Sequence, residues 1–156
     1  MSAYDPLQTF AATATQQGMA KQIDLEGIEA ARVMAALSPE TQRRFDKATW
    51  RLTGHPNDVA HAAFSAIGVA VGSSRQPVRS SDKKKLFTFA EQLIRDGSQD
   101  LVFSVANGFL VAVWQAAQNG GLDFGDVDDF LGPESRRYLT WWDDTQRTRT
   151  PGLRRA

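Results

Sequence analysis

The sequence predicts an all-α fold, a compact single-domain helical bundle of about seven or eight helices around two apolar central helices. Apolar residues recur at intervals of three and four along most of the chain, and no segment shows the sustained two-residue alternation of a β-strand. Helix-start signals alternate with glycine and proline breaks. A length of 156 residues, with 42% hydrophobic and 23% charged residues, fits one globular domain.

Four helices are predicted in the first half of the chain, each from a start signal. The signals are Asp5 with Pro6, Asp24, Ser38 with Pro39 and Glu40, and Asn57 or Asp58. Ser, Asp and Asn side chains accept hydrogen bonds from the free N–H groups of a first turn, and proline at the first position has no N–H to leave unpaired. We expect the first helix to end at Gly18 and the third at Gly54, because glycine commonly follows the last helical residue.

Four more helices are predicted in the second half. The fifth begins at Ser81 or Asp82, the sixth is the segment QDLVFSVANGFLVAVWQAAQ, the seventh is short and spans Asp123 to Leu131, and the eighth begins at Gly132-Pro133-Glu134. The last ten residues, RTRTPGLRRA, combine proline and glycine with arginines. We therefore expect an all-helical domain over residues 1–146 and a basic C-terminal tail over residues 147–156.

Two of the predicted helices are apolar nearly all round, from Val59 to Val71 and from Leu101 to Ala117. A helix without a polar face is normally central in its domain. The first of the two is rich in Ala and Gly, so we expect the pair to touch along their length. The second falls short of the roughly 20 apolar residues of a membrane span and is interrupted by Ser104, Asn107 and Gln115, so no membrane partner is expected.

Composition excludes several classes of function. The chain has no cysteine, which excludes disulfides, cysteine-ligated zinc and thiol catalysis. The formal net charge is zero, so no overall charge attracts nucleic acid or a membrane surface. The first ten residues, MSAYDPLQTF, lack the basic and apolar regions of a secretory signal. We expect a cytoplasmic protein, and no motif indicates a cofactor.

An acidic segment, GGLDFGDVDDFLG, is the first candidate site. Its four carboxylates are Asp123, Asp126, Asp128 and Asp129, and no Lys or Arg lies between Arg95 and Arg136 to neutralise them. The spacing fails the EF-hand pattern whether the count begins at Asp123 or at Asp126, so no metal site is expected. Acidic residues in a first turn favour the positive end of the helix dipole. The segment is therefore predicted as a helix start, and its alternative role is an acidic edge that binds a partner.

Asp58, His61 and Ser65 form a second constellation, since spacings of three and four place them on one face of a helix. They have the residue types of an acid, a base and a hydroxyl nucleophile. A working nucleophile also needs an oxyanion hole, which neighbours along one regular helix do not provide. A small all-α enzyme centred on Asp58 and His61 is kept as an alternative, and the sequence favours a protein that is not an enzyme.

Tryptophans outside the apolar stripes give the leading hypothesis. Trp50 lies off the stripe of the third helix, and Trp141 lies off the stripe of the last helix. Tryptophan is enriched at protein interfaces and in their hot spots. The sequence thus predicts a non-enzymatic, cytoplasmic protein-binding module, such as an inhibitor, adaptor or immunity-type partner, which binds another protein or a second copy of itself. The expected contact residues are Trp50, Trp141, Asp123, Asp126, Asp128, Asp129, Arg136 and Arg137.

Association with nucleic acid is the other alternative. The basic residues that would carry it are Arg75, Arg79, Lys83, Lys84 and Lys85, together with the tail from Arg147. The segment TWRLTGHPNDVAHAAFSA has the outline of a helix-turn-helix motif. Its second helix is rich in Ala and Val and has no Arg, Lys or Gln to contact base edges. The sequence therefore favours solvated surface over a nucleic-acid site for these residues.

Overall fold

The computed structural model describes residues 26–156. In that part of the chain the fold is all-α, with no strand, as predicted. The helices are α1 (Gly27–Ala35), α2 (Pro39–Thr49), α3 (Pro56–Val71), α4 (Ser80–Asp96), α5 (Gln99–Gln118) and α6 (Pro133–Thr145). Two 3₁₀ turns, Phe124–Asp126 and Asp128–Phe130, lie between α5 and α6. The first predicted helix and the Asp24 cap lie outside the described residues, and the predicted number of seven or eight helices is not confirmed.

The start of α2 has the predicted cap. The Ser38 hydroxyl accepts a hydrogen bond from the backbone N–H of Thr41 at 3.1 Å, and Pro39 occupies the first helical position. The Thr41 hydroxyl in turn donates to the Ala35 carbonyl at 2.7 Å, which ties the end of α1 to the start of α2. At α3 the cap differs from the prediction, because the ring of His55 accepts from the Asn57 N–H at 3.2 Å.

The two apolar helices, α3 and α5, lie side by side and run in the same direction. Contacts between them pair Phe64 with Gly108, Gly68 with Phe109, and Gly72 with Ala116. The approach is so close that a Cβ on Gly68 would lie 2.6 Å from the Phe109 carbonyl oxygen. The small residues thus let the two backbones meet, and the prediction that these helices touch along their length is confirmed.

Helix α5 widens into a π-helical segment at Val105–Leu110, where it crosses α3. Among residues 26–156, α5 is the one helix that is long and apolar enough to cross a membrane, with 20 residues and a mean hydropathy of 1.4. The helix therefore has the roughly 20 residues that a membrane span requires, whereas the sequence predicted that this segment falls short of that length. About half of the helix, 56% of the most apolar window, is buried against the other helices.

Helices α4 and α6 are joined by a carboxylate. The Glu91 side chain, on α4, accepts hydrogen bonds from the backbone N–H groups of Glu134 and Ser135 at 2.8 and 2.9 Å, and from the Ser135 hydroxyl at 2.7 Å. These N–H groups belong to the first turn of α6, which has no partner for them within its own helix. Glu91 therefore caps α6 from a distant part of the sequence.

The predicted seventh helix is replaced by the two 3₁₀ turns, and of its apolar residues Phe130 is only partly buried while the other three are buried. Phe124, Val127 and Leu131 are at most 9% exposed. The tail, residues 147–156, folds back beside these turns and buries Leu153. Gly152 has φ +85°, and a Cβ there would lie 2.5 Å from the Gly125 nitrogen. A side chain at position 152 would push the tail away from the turns. The close packing of the tail on the two 3₁₀ turns therefore depends on this glycine.

Candidate functional site

The acidic segment finds its counter-charge within the chain. Asp128 is 4% exposed, and its carboxylate accepts hydrogen bonds from the Arg136 guanidinium at 2.7 Å and from the Arg154 backbone N–H at 2.9 Å. The Arg154 guanidinium also donates to Asp128, and to Asp129 at 2.6 Å. Burial raises the pKa of Asp128, but the hydrogen bonds from Arg136 and Arg154 outweigh it and hold this pKa below its usual value.

The remaining predicted contact residues of this region also have internal roles. Asp123 caps the first 3₁₀ turn by accepting from the Gly125 N–H at 2.9 Å, and Arg137 pairs with Glu134 at 3.2 Å. Asp126 is exposed. Most of the acidic segment is therefore engaged in holding the tail and the turns, and Asp126 and the outer side of Asp129 are left for a partner.

Trp141 belongs to an aromatic cluster on α6. Its ring centroid lies 6.0 Å from that of Tyr138 and 5.3 Å from that of Trp142, and its side chain packs partly buried against the core. The Trp114 indole N–H, on α5, donates to Asp143 at 2.7 Å and anchors the same region. Trp141 thus already has extensive contacts within its own chain.

Asp58 and His61 line an open cleft of about 470 Å³ at the amino-terminal ends of α3 and α5. The other lining residues are Asn57, Asp100, Phe103 and Ser104, so Ser65 is not part of it. No hydrogen bond joins Asp58, His61 and Ser104 in the described part of the chain. Asp58 and Asp100 both occupy first helical turns, where the dipoles favour carboxylates.

The cleft therefore has the residue types of a catalytic site without the contacts that would activate a nucleophile. Residues 26–156 hold no group of three or more His, Asp or Glu side chains placed to bind a metal ion. The four carboxylates of the acidic segment are not among the lining residues.

The predicted nucleic-acid residues are partly neutralised. Arg79 and Lys85 both pair with the buried carboxylate of Asp82, at 3.5 and 3.9 Å, while Lys84 is exposed. Arg75 lies apart from them, on the wall of a groove of about 390 Å³ that it shares with Arg44. The basic segment is thus divided between a local ion-pair cluster and a separate groove.

Trp50 stands on the outer side of the molecule. Its side chain is 70% exposed, the largest value among the large hydrophobic residues that the structure describes. The Arg51 guanidinium lies 4.0 Å from the centroid of the indole ring. The helix α2 ends at Thr49 and not at Gly54 as predicted, and Leu52, beyond its end, is 37% exposed.

Three basic residues of α2 and one that follows it lie within seven positions of this tryptophan, and we call them with Trp50 the basic face: Arg43, Arg44, Lys47, Trp50 and Arg51. Spacings of four and three place Arg43, Lys47 and Trp50 on one side of the helix, opposite the buried Thr41 and Phe45. None of the four cations takes part in an ion pair within residues 26–156. The basic face is thus both charged and open to solvent.

Sequence reasoning found Trp50 but missed the cations around it. The signal was present in the segment QRRFDKATWR, because a helical projection puts Arg43 and Lys47 nearly opposite Phe45 and Arg44 about a quarter turn from it.

The chain matches no family model, no curated protein and no solved structure. The fold and the site define the chain as an all-α protein with an exposed basic and aromatic face.

Proposed function

We propose that the protein is a non-enzymatic, cytoplasmic protein-binding module whose contact surface is centred on Trp50. The observation that carries the proposal is the 70% exposure of this side chain on a helix whose opposite side is buried. Tryptophan and arginine are the residues that most often dominate binding energy at interfaces. An exposed indole with a guanidinium against its ring combines the two.

The proposal differs from the sequence hypothesis in its residues. Trp141, Asp128 and Arg136 have partners within the chain, so they are expected to hold the domain together more than to contact another protein. Removing any of them would disturb folding and binding at once. Trp50, by contrast, contributes exposed surface, which makes it the residue where binding can be tested apart from stability.

Affinity capture from native lysate tests the proposal, with Phe103→Ala as a matched control. Phe103 is also an exposed aromatic residue, at 50%, but it belongs to α5 and lines the cleft that contains Asp58 and His61. Trp50→Ala is expected to weaken capture of the partner by roughly 30-fold, which corresponds to the loss of about 2 kcal/mol at a hot spot. Phe103→Ala should leave capture within about twofold.

Thermal unfolding supplies the second readout. Because Trp50 is mostly exposed, Trp50→Ala should change the free energy of unfolding by no more than about 0.5 kcal/mol. If Trp50→Ala and Phe103→Ala retain the same partners equally well, Trp50 is not the centre of a binding surface. If Trp50→Ala lowers stability strongly, its role is structural.

A further inference from the structure

The basic face continues across a groove on the neighbouring helix. Arg44 lines one wall of the 390 Å³ groove, Arg75 lines another part of it, and Val69 of α3 lies in the same lining. Val69 is 44% exposed, which is unusual for a valine of a central helix. A partner that contacts Trp50 can therefore extend over Arg44 to an apolar contact at Val69.

Charge on this surface is strongly unbalanced. Besides the four cations of the basic face, Arg75 also takes part in no ion pair within the described part of the chain. The acids of α2 offset only part of this charge, because Asp46 is a single exposed carboxylate, which accepts a hydrogen bond from Gln42 at 2.9 Å and forms no ion pair, and Glu40 is partly buried at the start of the helix. The groove lining includes no carboxylate.

Elsewhere in residues 26–156, several cations are paired with carboxylates, although Lys83, Lys84, Arg147 and Arg149 take part in no ion pair either. Asp82 holds Arg79 and Lys85, Asp128 holds Arg136 and Arg154, and Asp144 holds Arg155. Unneutralised cations gathered on one face raise the electrostatic potential there and attract a surface of opposite sign.

We infer that the partner presents an acidic polypeptide segment with at least one apolar side chain to the basic face and the adjoining groove, an inference that rests on the proposed function. Its carboxylates pair with Arg43, Lys47 and Arg51, and its apolar side chain packs on Trp50 or Val69. The exposed side chains of Val69 and Leu52 are aliphatic, which favours a polypeptide partner. Single-stranded nucleic acid is instead bound by several aromatic rings that stack on successive bases.

Site-specific photocrosslinking tests this inference. The photoreactive residue p-benzoylphenylalanine replaces the exposed Thr53, next to the basic face, in the full chain, and a second chain carries it at the exposed Gln92 of α4 as a position control. After irradiation in native lysate, the mass of the adduct and the sequence of the crosslinked peptide are determined. The expected result is a protein adduct at position 53 whose crosslinked peptide is rich in Asp and Glu.

Charge reversal provides the second arm. Arg43→Glu with Lys47→Glu should reduce the adduct by at least about tenfold, since like charges then face the acidic segment. The matched control, Lys84→Glu with Arg149→Glu, makes the same change in net charge at exposed positions outside the face and should leave the adduct within about twofold. Circular dichroism confirms that both double variants are folded.

The outcomes separate the inference from the proposed function. The inference of an acidic partner segment is wrong if the crosslinked peptide is neutral or basic, or if the adduct survives the charge reversal at Arg43 and Lys47. The proposed surface centred on Trp50 is unaffected by either result. An adduct that nuclease removes, or one with twice the mass of the chain, overturns the inference in favour of nucleic acid or of a second copy. Failure of position 53 to crosslink above the level of position 92 overturns the proposed function itself.

Discussion

Replacement of Glu91 by alanine should lower the free energy of unfolding substantially, because this buried side chain caps α6. The carboxylate is 8% exposed and accepts from two backbone N–H groups and one hydroxyl of α6. Glu91→Ala leaves these donors without an acceptor, and each buried unsatisfied donor costs about 1 to 3 kcal/mol. Ser135 is fully buried, whereas Glu134 is only partly buried and regains some solvation.

We therefore expect Glu91→Ala to lower the free energy of unfolding by about 2 to 4 kcal/mol, to which the lost interaction with the helix dipole contributes roughly 0.3 to 1 kcal/mol. For a chain of this size each kcal/mol shifts the melting temperature by about 2 to 4 °C, so a fall of roughly 4 to 16 °C is expected. Glu91→Gln keeps one acceptor oxygen in place and should lose about half as much stability.

Urea denaturation followed by circular dichroism measures these differences. Gln92→Ala, at the exposed neighbouring position, is the control and should fall within about 0.5 kcal/mol of the wild type. If Glu91→Ala were as stable as Gln92→Ala, the prediction that Glu91 stabilises the fold by capping α6 would be wrong.

Two other perturbations test the packing of the tail and of the central helices. Because the pKa of Asp128 is lower in the folded chain, its contribution to stability is present above the usual aspartate value of about 3.9 and is lost as the pH falls through the folded value. Asp128→Asn should therefore lose less free energy of unfolding than the wild type between pH 6 and pH 3, and equal losses would contradict the argument. Gly68→Ala should cost about 1 to 3 kcal/mol in urea denaturation, since its Cβ would lie 2.6 Å from the Phe109 carbonyl oxygen. The exposed Val69→Ala is its control, and a similar stability of the two variants would mean that α3 and α5 separate without cost.

Features that depend on neighbours in sequence were predictable. The Ser38 cap, the start of α6 at Pro133 and the apolar central helices all follow from residues within one or two turns of each other. The chemistry of a cap or a stop is complete within such a short segment.

Features that depend on distant residues were not predictable. The acidic segment forms 3₁₀ turns because Asp128 is held by Arg154, which is 26 positions away, and because the tail packs at Gly125 through Gly152. No local pattern marks Glu91 as the cap of a helix that begins 42 positions later at Pro133. Such contacts arise only when the chain has folded.

The candidate site lies between these two cases. The sequence placed Trp50 off the buried stripe correctly, and the side chain is exposed. Predictions from the sequence grouped basic residues that are neighbours along the chain. That criterion selected Arg79 and Lys85 and overlooked the cations of α2. Ion pairs decide which cations are free, and Asp82 neutralises the first group whereas the basic face has no such partner.

Hydroxyl-radical footprinting of Trp50 tests the central proposal most directly, because the rate of indole oxidation reports whether this ring is covered. In the purified chain Trp50 should be oxidised much faster than the partly buried Trp114. In native lysate, where the partner is present, the account predicts that oxidation of Trp50 slows severalfold while oxidation of the exposed Phe103 does not change. Equal oxidation of Trp50 in the purified chain and in the lysate would contradict a binding surface centred on this residue.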